Sequence, residues 1–130
     1  MANVNGFEDL EIWQLAREQC NSVFIQIKNF KRKNEFELIS QIKRSSGSVM
    51  DNIAEGFERG GNNEFIHFLS ISKGSNGELR SQFYRAFDQE LIEKEGLQVF
   101  IDRNNLIGKK INSFIRYLNQ SDIKGFKFHK

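Results

Sequence analysis

Proline is absent from this 130-residue chain. Nothing therefore forbids long uninterrupted helices, because proline is the strongest helix breaker. There is one cysteine, Cys20, so no internal disulfide can form. Cys20 sits among apolar neighbours and reads as a small core residue. No apolar run approaches the roughly 20 residues needed to span a bilayer, and no membrane association is expected. The N-terminal MANVNGFEDLEIW has neither a basic region nor a long apolar run, so no secretory leader is expected. These absences point to a cytoplasmic protein.

The chain does have apolar volume. Thirteen Phe, with many Ile and Leu, suffice for a core, and a chain of this length reads as one domain. The net charge of +2 hides an asymmetry. Residues 1–101 carry twelve Lys/Arg and fifteen Asp/Glu, a balance of −3, whereas residues 102–130 carry seven and two, a balance of +5. The basic C-terminal part suits either an acidic partner such as RNA or a solvated helix face.

The periodicity predicts four helices, over about 7–27, 35–58, 63–91 and 94–119. In the first, Leu10, Trp13, Ala16, Cys20, Phe24 and Ile27 recur at spacings of three and four and build an apolar face. Leu38, Ile42, Ser46, Val49, Ile53 and Phe57 do the same in the second. The third carries Phe65, Phe68, Leu69, Ser72, Leu79, Phe83 and Phe87. The fourth turns Leu97, Phe100, Ile101, Ile107, Ile111, Phe114, Ile115 and Leu118 inward. Capping boxes are expected at Asn5–Glu8 and Asn34–Glu37, with Asn62 or Asn63 capping the third helix. Gly60 and Gly61 should stop the second, since glycine tolerates the left-handed conformation there.

From Gln41 to Leu79 the small residues lie almost symmetrically about that Gly-Gly turn, Gly47 against Gly74 and Ser46 against Ser75. Gly74 and Gly77 cost roughly 1 kcal/mol each relative to alanine inside a helix. That cost suggests a close approach to Ser45-Ser46-Gly47-Ser48. Four helices on short turns make an all-α, up-down-up-down antiparallel four-helix bundle over 1–119, followed by a basic, flexible tail over 120–130.

Catalytic constellations are missing. Glu64-x-x-His67 places two metal-ligand types on one helix face, but di-iron bundles need two such motifs and further inward carboxylates. The other histidine, His129, lies in the tail. A serine nucleophile would need a positioned base. Gly74-Ser75-Asn76-Gly77-Glu78 lies within a helix rather than after a strand, unlike a phosphate loop. No catalytic residue, metal, cofactor or small-molecule substrate is expected.

A polar line on the second helix is more informative. Arg44, Ser48, Asn52, Glu55 and Arg59 are spaced 4, 4, 3 and 4 and share one flank of the apolar stripe. Three readings are open: a solvated flank with ordinary ion pairs, a seam between subunits, or a stripe facing nucleic acid. Arg44 and Arg59, with Arg80, Arg85, Lys109, Lys110 and Arg116, are candidates for phosphate contacts. The residues singled out for binding a nucleic acid or partner are Arg44, Asn52, Glu55, Arg59, Lys109, Lys110 and Arg116.

Several blocks occur in order: Leu10-x-x-Trp13-Gln14-x-Ala16, Gln41-Ile42-Lys43-Arg44, Asn52-Ile53-Ala54-Glu55-Gly56 with Arg59, Glu64-Phe65, Phe68-Leu69, and Gly74-Ser75-x-x-Glu78-Leu79. Over about residues 7–118 the chain thereby resembles the four-helix-bundle proteins encoded in intervening sequences of 23S ribosomal RNA genes. The resemblance implies a bundle that assembles into a ring-like homopentamer, with no known enzymatic activity. It extends to the accessory protein of diversity-generating retroelements, a basic pentamer that binds the reverse transcriptase and is expected to bind nucleic acid. The function that follows is non-catalytic: an oligomeric bundle binding RNA or a ribonucleoprotein partner. The alternative is a protein–protein adaptor or structural oligomer with no nucleic-acid role.

Overall fold

Helix formation begins later than the first apolar residue suggests. In the computed structural model, which describes residues 4–120, Phe7–Asp9 form a single 3-10 turn and Leu10 is extended (φ −78, ψ 128). Helix α1 then spans Glu11–Lys28. The Asn5–Glu8 capping box does not form. Instead the Asn5 N–H donates to Asp9 Oδ2 at 2.9 Å, which leaves Leu10 free to bury. The face of α1 is also rotated from the expected one. Ile12, Trp13, Ala16, Gln19, Val23 and Ile27 are buried. Phe24 is 56% exposed, with Lys28 Nζ 5.2 Å from its ring centroid. The buried stripe runs from Ala16 through Gln19 to Val23 and Ile27, and the polar Gln19 disguised it.

Helix α2 spans Phe36–Arg59. All six residues of its expected stripe are buried, with Ser45 and Gly56 in addition. No side chain caps its N-terminus, so the Asn34–Glu37 box does not form either. Gly60, at φ +98, ends it in a conformation that side chains rarely adopt. Helix α3 spans Asn62–Asp88 behind an extended Gly61. Neither Asn62 nor Asn63 caps it. Both lie inside the helix, and Asn62 Nδ2 donates to the Leu118 carbonyl at 3.4 Å, tying the start of α3 to the end of the last helix.

The end of α3 is a Schellman-type closure. The Glu90 N–H reaches the Phe87 carbonyl and the Leu91 N–H reaches the Ala86 carbonyl, both at 2.9 Å. Glu90 stands at φ +63, and Leu91 is fully buried beyond it. Helix α4 spans Lys94–Asn119. Of the tail expected over 120–130, all but Gln120 lies outside the described residues.

The described residues contain four α-helices and no strand. Contacts Gln41–Arg85, Ser48–Ser75 and Val49–Ser72 step in opposite directions along α2 and α3, so these run antiparallel. Gln19–Asn104 and Glu11–Lys110 show the same for α1 and α4. Each helix packs on its two neighbours in an up-down-up-down bundle. The α2–α3 contact is the most extensive and the α1–α4 contact the least.

The close approach of α2 and α3 is not at the expected glycines. A Cβ on Gly47 or Gly74 would meet nothing within 4 Å, whereas one on Gly56 would fall 2.8 Å from Phe68 Cβ and 3.0 Å from Phe65 Cδ1. Hydroxyls rather than glycines join the middle of this helix pair: Ser48 Oγ to Ser75 Oγ at 2.8 Å, and Ser72 Oγ donating to the Val49 carbonyl at 2.7 Å.

The core is two apolar blocks with a polar layer between them. One block gathers Leu10, Trp13, Val49, Ile53, Phe57, Phe65, Leu69, Ile111 and Leu118. The other gathers Val23, Phe30, Leu38, Ile42, Leu79, Phe83, Leu91 and Phe100, with the Phe83 and Phe100 rings stacked at 3.7 Å. Between them, in sequence order along every helix, lie Gln19, Ser45 and Ser46, Ser72 and Asn76, and Asn104, all buried. Gln19 Nε2 donates to Asn76 Oδ1, and Asn104 Nδ2 to Gln19 Oε1, each at 2.9 Å. Asn76 Nδ2 reaches the Asn104 carbonyl at 3.0 Å, and Asn104 Nδ2 the Asn76 carbonyl at 3.1 Å. Three amides from three helices thus satisfy one another, as buried amides must.

Candidate nucleic-acid and partner surfaces

The polar line of α2 is largely self-satisfied. Asn52 is half-buried, and its Nδ2 donates to the carbonyl and the hydroxyl of Ser48, both at 2.9 Å. Arg59 pairs with Glu55 at 2.9 Å and with Glu64 at 3.6 Å, and lies 5.0 Å from the Phe68 ring centroid. The Glu55 hydrogen bond raises the Arg59 pKa further. One cation held between two carboxylates presents little net charge to a phosphate. Arg44 differs. Its guanidinium touches only Ser40 Oγ, at 3.1 Å, among the described residues.

Lys109 and Lys110 are adjacent in sequence but do not share a patch, because consecutive helical residues point about 100° apart. Lys110 turns towards α1 and pairs with Glu11 at 3.2 Å. Lys109 turns towards α3 and lines a groove of about 290 Å³ between α3 and α4. Lys73 and Arg80 join it there from α3, with Asn105 and Asn112 from α4. Lys73 Nζ donates to Asn112 Oδ1 and Arg80 Nη1 to Asn104 Oδ1, each at 3.0 Å. The second bond anchors Arg80 to the buried amide layer, so its guanidinium is held rather than free to wander. Gly77 and Gly108 also line the groove and add no side chain to fill it. Among the described residues, no carboxylate lines it. Arg116 is exposed on the same face of α4, one turn beyond Asn112.

The structure therefore separates the seven singled-out residues. Lys109 lines the basic groove, Arg116 lies past its lining on the same face of α4, Lys110 turns away to α1, and Arg44, Asn52, Glu55 and Arg59 follow α2. Sequence reasoning named Arg80 only in passing and missed Lys73. Their spacing with Gly77 on α3 was visible, but its meaning depends on which helix faces them.

A second groove, of about 180 Å³, lies between α2 and α3 and is lined by Gln41, Arg44, Ser45, Ser48, Ser75, Glu78 and Gln82. Gln82 is only 4% exposed, and its Oε1 has no hydrogen-bond partner among the described residues.

His67 is exposed on α3, its ring 5.4 Å from that of Phe68. No three His, Cys, Asp or Glu side chains gather among the described residues. Cys20 is half-buried rather than fully enclosed, and its thiol donates to the Ser46 carbonyl at 3.2 Å. Burial pushes the thiol pKa up, hydrogen bonding with Ser46 pulls it down, and nearby Asp51 pushes it up again, with a net rise. No helix of the described residues is long and apolar enough to cross a membrane.

The model of one protein family, the 23S rRNA-intervening sequence proteins, matches residues 8–113. A solved structure is also similar: a protein of unknown function from the S23 ribosomal protein family of Bacteroides thetaiotaomicron VPI-5482. It superposes with a TM-score of 0.75 at 23% identity, over 81% of this chain and 98% of that one. No curated protein sequence matches.

Proposed function

Because this chain belongs to the 23S rRNA-intervening sequence protein family, we propose that it is a non-catalytic bundle that binds RNA or a ribonucleoprotein partner. The observation that carries this reading is the α3–α4 groove, which Lys73, Arg80 and Lys109 line with no carboxylate among the described lining residues. Such a groove attracts phosphates, and affinity gained this way falls steeply with salt. We further propose that the protein works as a homo-oligomer, the pentamer that the family likeness implies, in the cytoplasm. Phe36, Ile25 and Phe24, respectively 75%, 58% and 56% exposed, are apolar side chains that further subunits could cover. The same apolar residues favour the second reading, an adaptor whose partners are proteins only.

The test is RNA binding across a salt series. Lys73→Glu combined with Lys109→Glu is expected to weaken binding equally for all sequences and to flatten the log-log salt slope by about two. Lys110→Glu is expected to leave binding nearly unchanged. Absence of RNA binding at low salt, with an oligomeric mass by light scattering, would leave the adaptor reading.

A further inference from the structure

The α2–α3 groove is on the other side of α3 from the basic groove, one helix width away, about 10–12 Å. Its groups have unused bonding capacity. Gln82 Oε1 is buried and lacks a donor, a rare and costly state for a polar atom. Glu78, one turn before Gln82 on the same face, has no hydrogen bond or ion pair among the described residues. Arg44 faces them from α2 and bonds only Ser40. The Ser48–Ser75 hydroxyl pair lies between the two helices. Among the described residues, a carbonyl and a carboxylate without donors thus stand opposite a guanidinium without an anion. Four residues that carry the family likeness in sequence, Gln41, Arg44, Ser75 and Glu78, line this groove.

We propose that this groove holds one unstacked guanine base of a single-stranded RNA whose phosphates lie in the basic α3–α4 groove. The proposal rests on the RNA-binding reading above. Its chemistry is specific. Guanine alone places two N–H groups side by side on its pairing edge, which suits the two oxygens of the exposed Glu78 carboxylate, with Gln82 beside it. It also offers two adjacent acceptors, O6 and N7, which suit an arginine. Single-stranded RNA is read this way, by hydrogen bonds to bases splayed from the stack and by stacking on arginine planes. A groove of about 180 Å³ matches the space of about six waters, enough for one base and too little for a stacked pair.

The experiment compares a twelve-nucleotide oligouridylate with versions carrying one central guanosine, adenosine or inosine, titrated against the full chain. The guanosine oligomer is expected to bind about tenfold more tightly than the all-uridine one. Inosine, which lacks the exocyclic amine, is expected to lose most of that gain, and adenosine all of it. Glu78→Gln is expected to abolish the preference, read as the ratio of guanosine-oligomer to oligouridylate affinity, while leaving thermal stability unchanged. Equal, salt-dependent binding of all four oligomers would overturn the guanine site and leave the phosphate groove standing. A preference that survives Glu78→Gln would likewise overturn it. No binding of any oligomer at low salt would remove the RNA reading and this inference together.

Discussion

Gly56 and Gly74 belong to the same pair of helices and have opposite roles. A methyl group at Gly56 would press on Phe68 Cβ and Phe65 Cδ1, whereas one at Gly74 would enter open space. Gly56→Ala is expected to cost about 1–3 kcal/mol by overpacking. Gly74→Ala is expected to gain about 1 kcal/mol from helix propensity. Urea midpoints of the two variants should move in opposite directions. Glu90 offers a second gain. It holds φ +63, where a side chain is strained by about 1–2 kcal/mol. Glu90→Gly is therefore expected to stabilise by about 1 kcal/mol in the same urea experiment. These residues mark where the sequence misled. Gly47 and Gly74 looked like a close contact because they mirror each other about the turn, but symmetry of spacing does not say which way a helix face points. The Schellman closure was hidden because its left-handed position is a glutamate.

The four helices were legible in outline because hydrophobic period is set by burial, and α2 showed it best: all six expected positions are buried. Helix starts were less legible. The described N-cap residues make no side-chain capping bond, so Ser/Asn-type signals before a helix had no structural counterpart. The polar layer was not legible at all. Gln19, Asn76 and Asn104 each look like solvent-facing residues until three helices bring them together. Their partnership predicts how they fail. Asn104→Ala would strand Gln19 Oε1 and remove the anchor of Arg80, and is expected to cost about 2–4 kcal/mol. Replacing Gln19, Asn76 and Asn104 together by leucine is expected to restore most of that stability. The triple variant should lose the single helix register that the amides specify, seen as broadened amide spectra and a changed mass by light scattering.

At the scale of the whole molecule, charge is sorted by face rather than by sum. A net charge of +2 says little about binding, because carboxylates offset Arg59 and Lys110 but do not line the groove of Lys73, Arg80 and Lys109. The basic C-terminal bias was readable from the sequence. Its partner helix was not, because the pairing of α4 with α3 is a tertiary fact. The two apolar blocks also differ in how the chain closes them. One holds the start of α1, the end of α4 and the α2–α3 turn, and the other holds both remaining connections. Native-state hydrogen exchange is expected to protect amides around Phe30, Phe83 and Leu91 more than those around Leu10 and Leu118.

The same division sets how the protein answers a pull. Because α1 begins and α4 finishes in one block, a tension applied between those two points would peel the helices apart bond by bond rather than slide them past each other. The amide layer would then act as a catch halfway along, giving under load as a separate step before the second block opens.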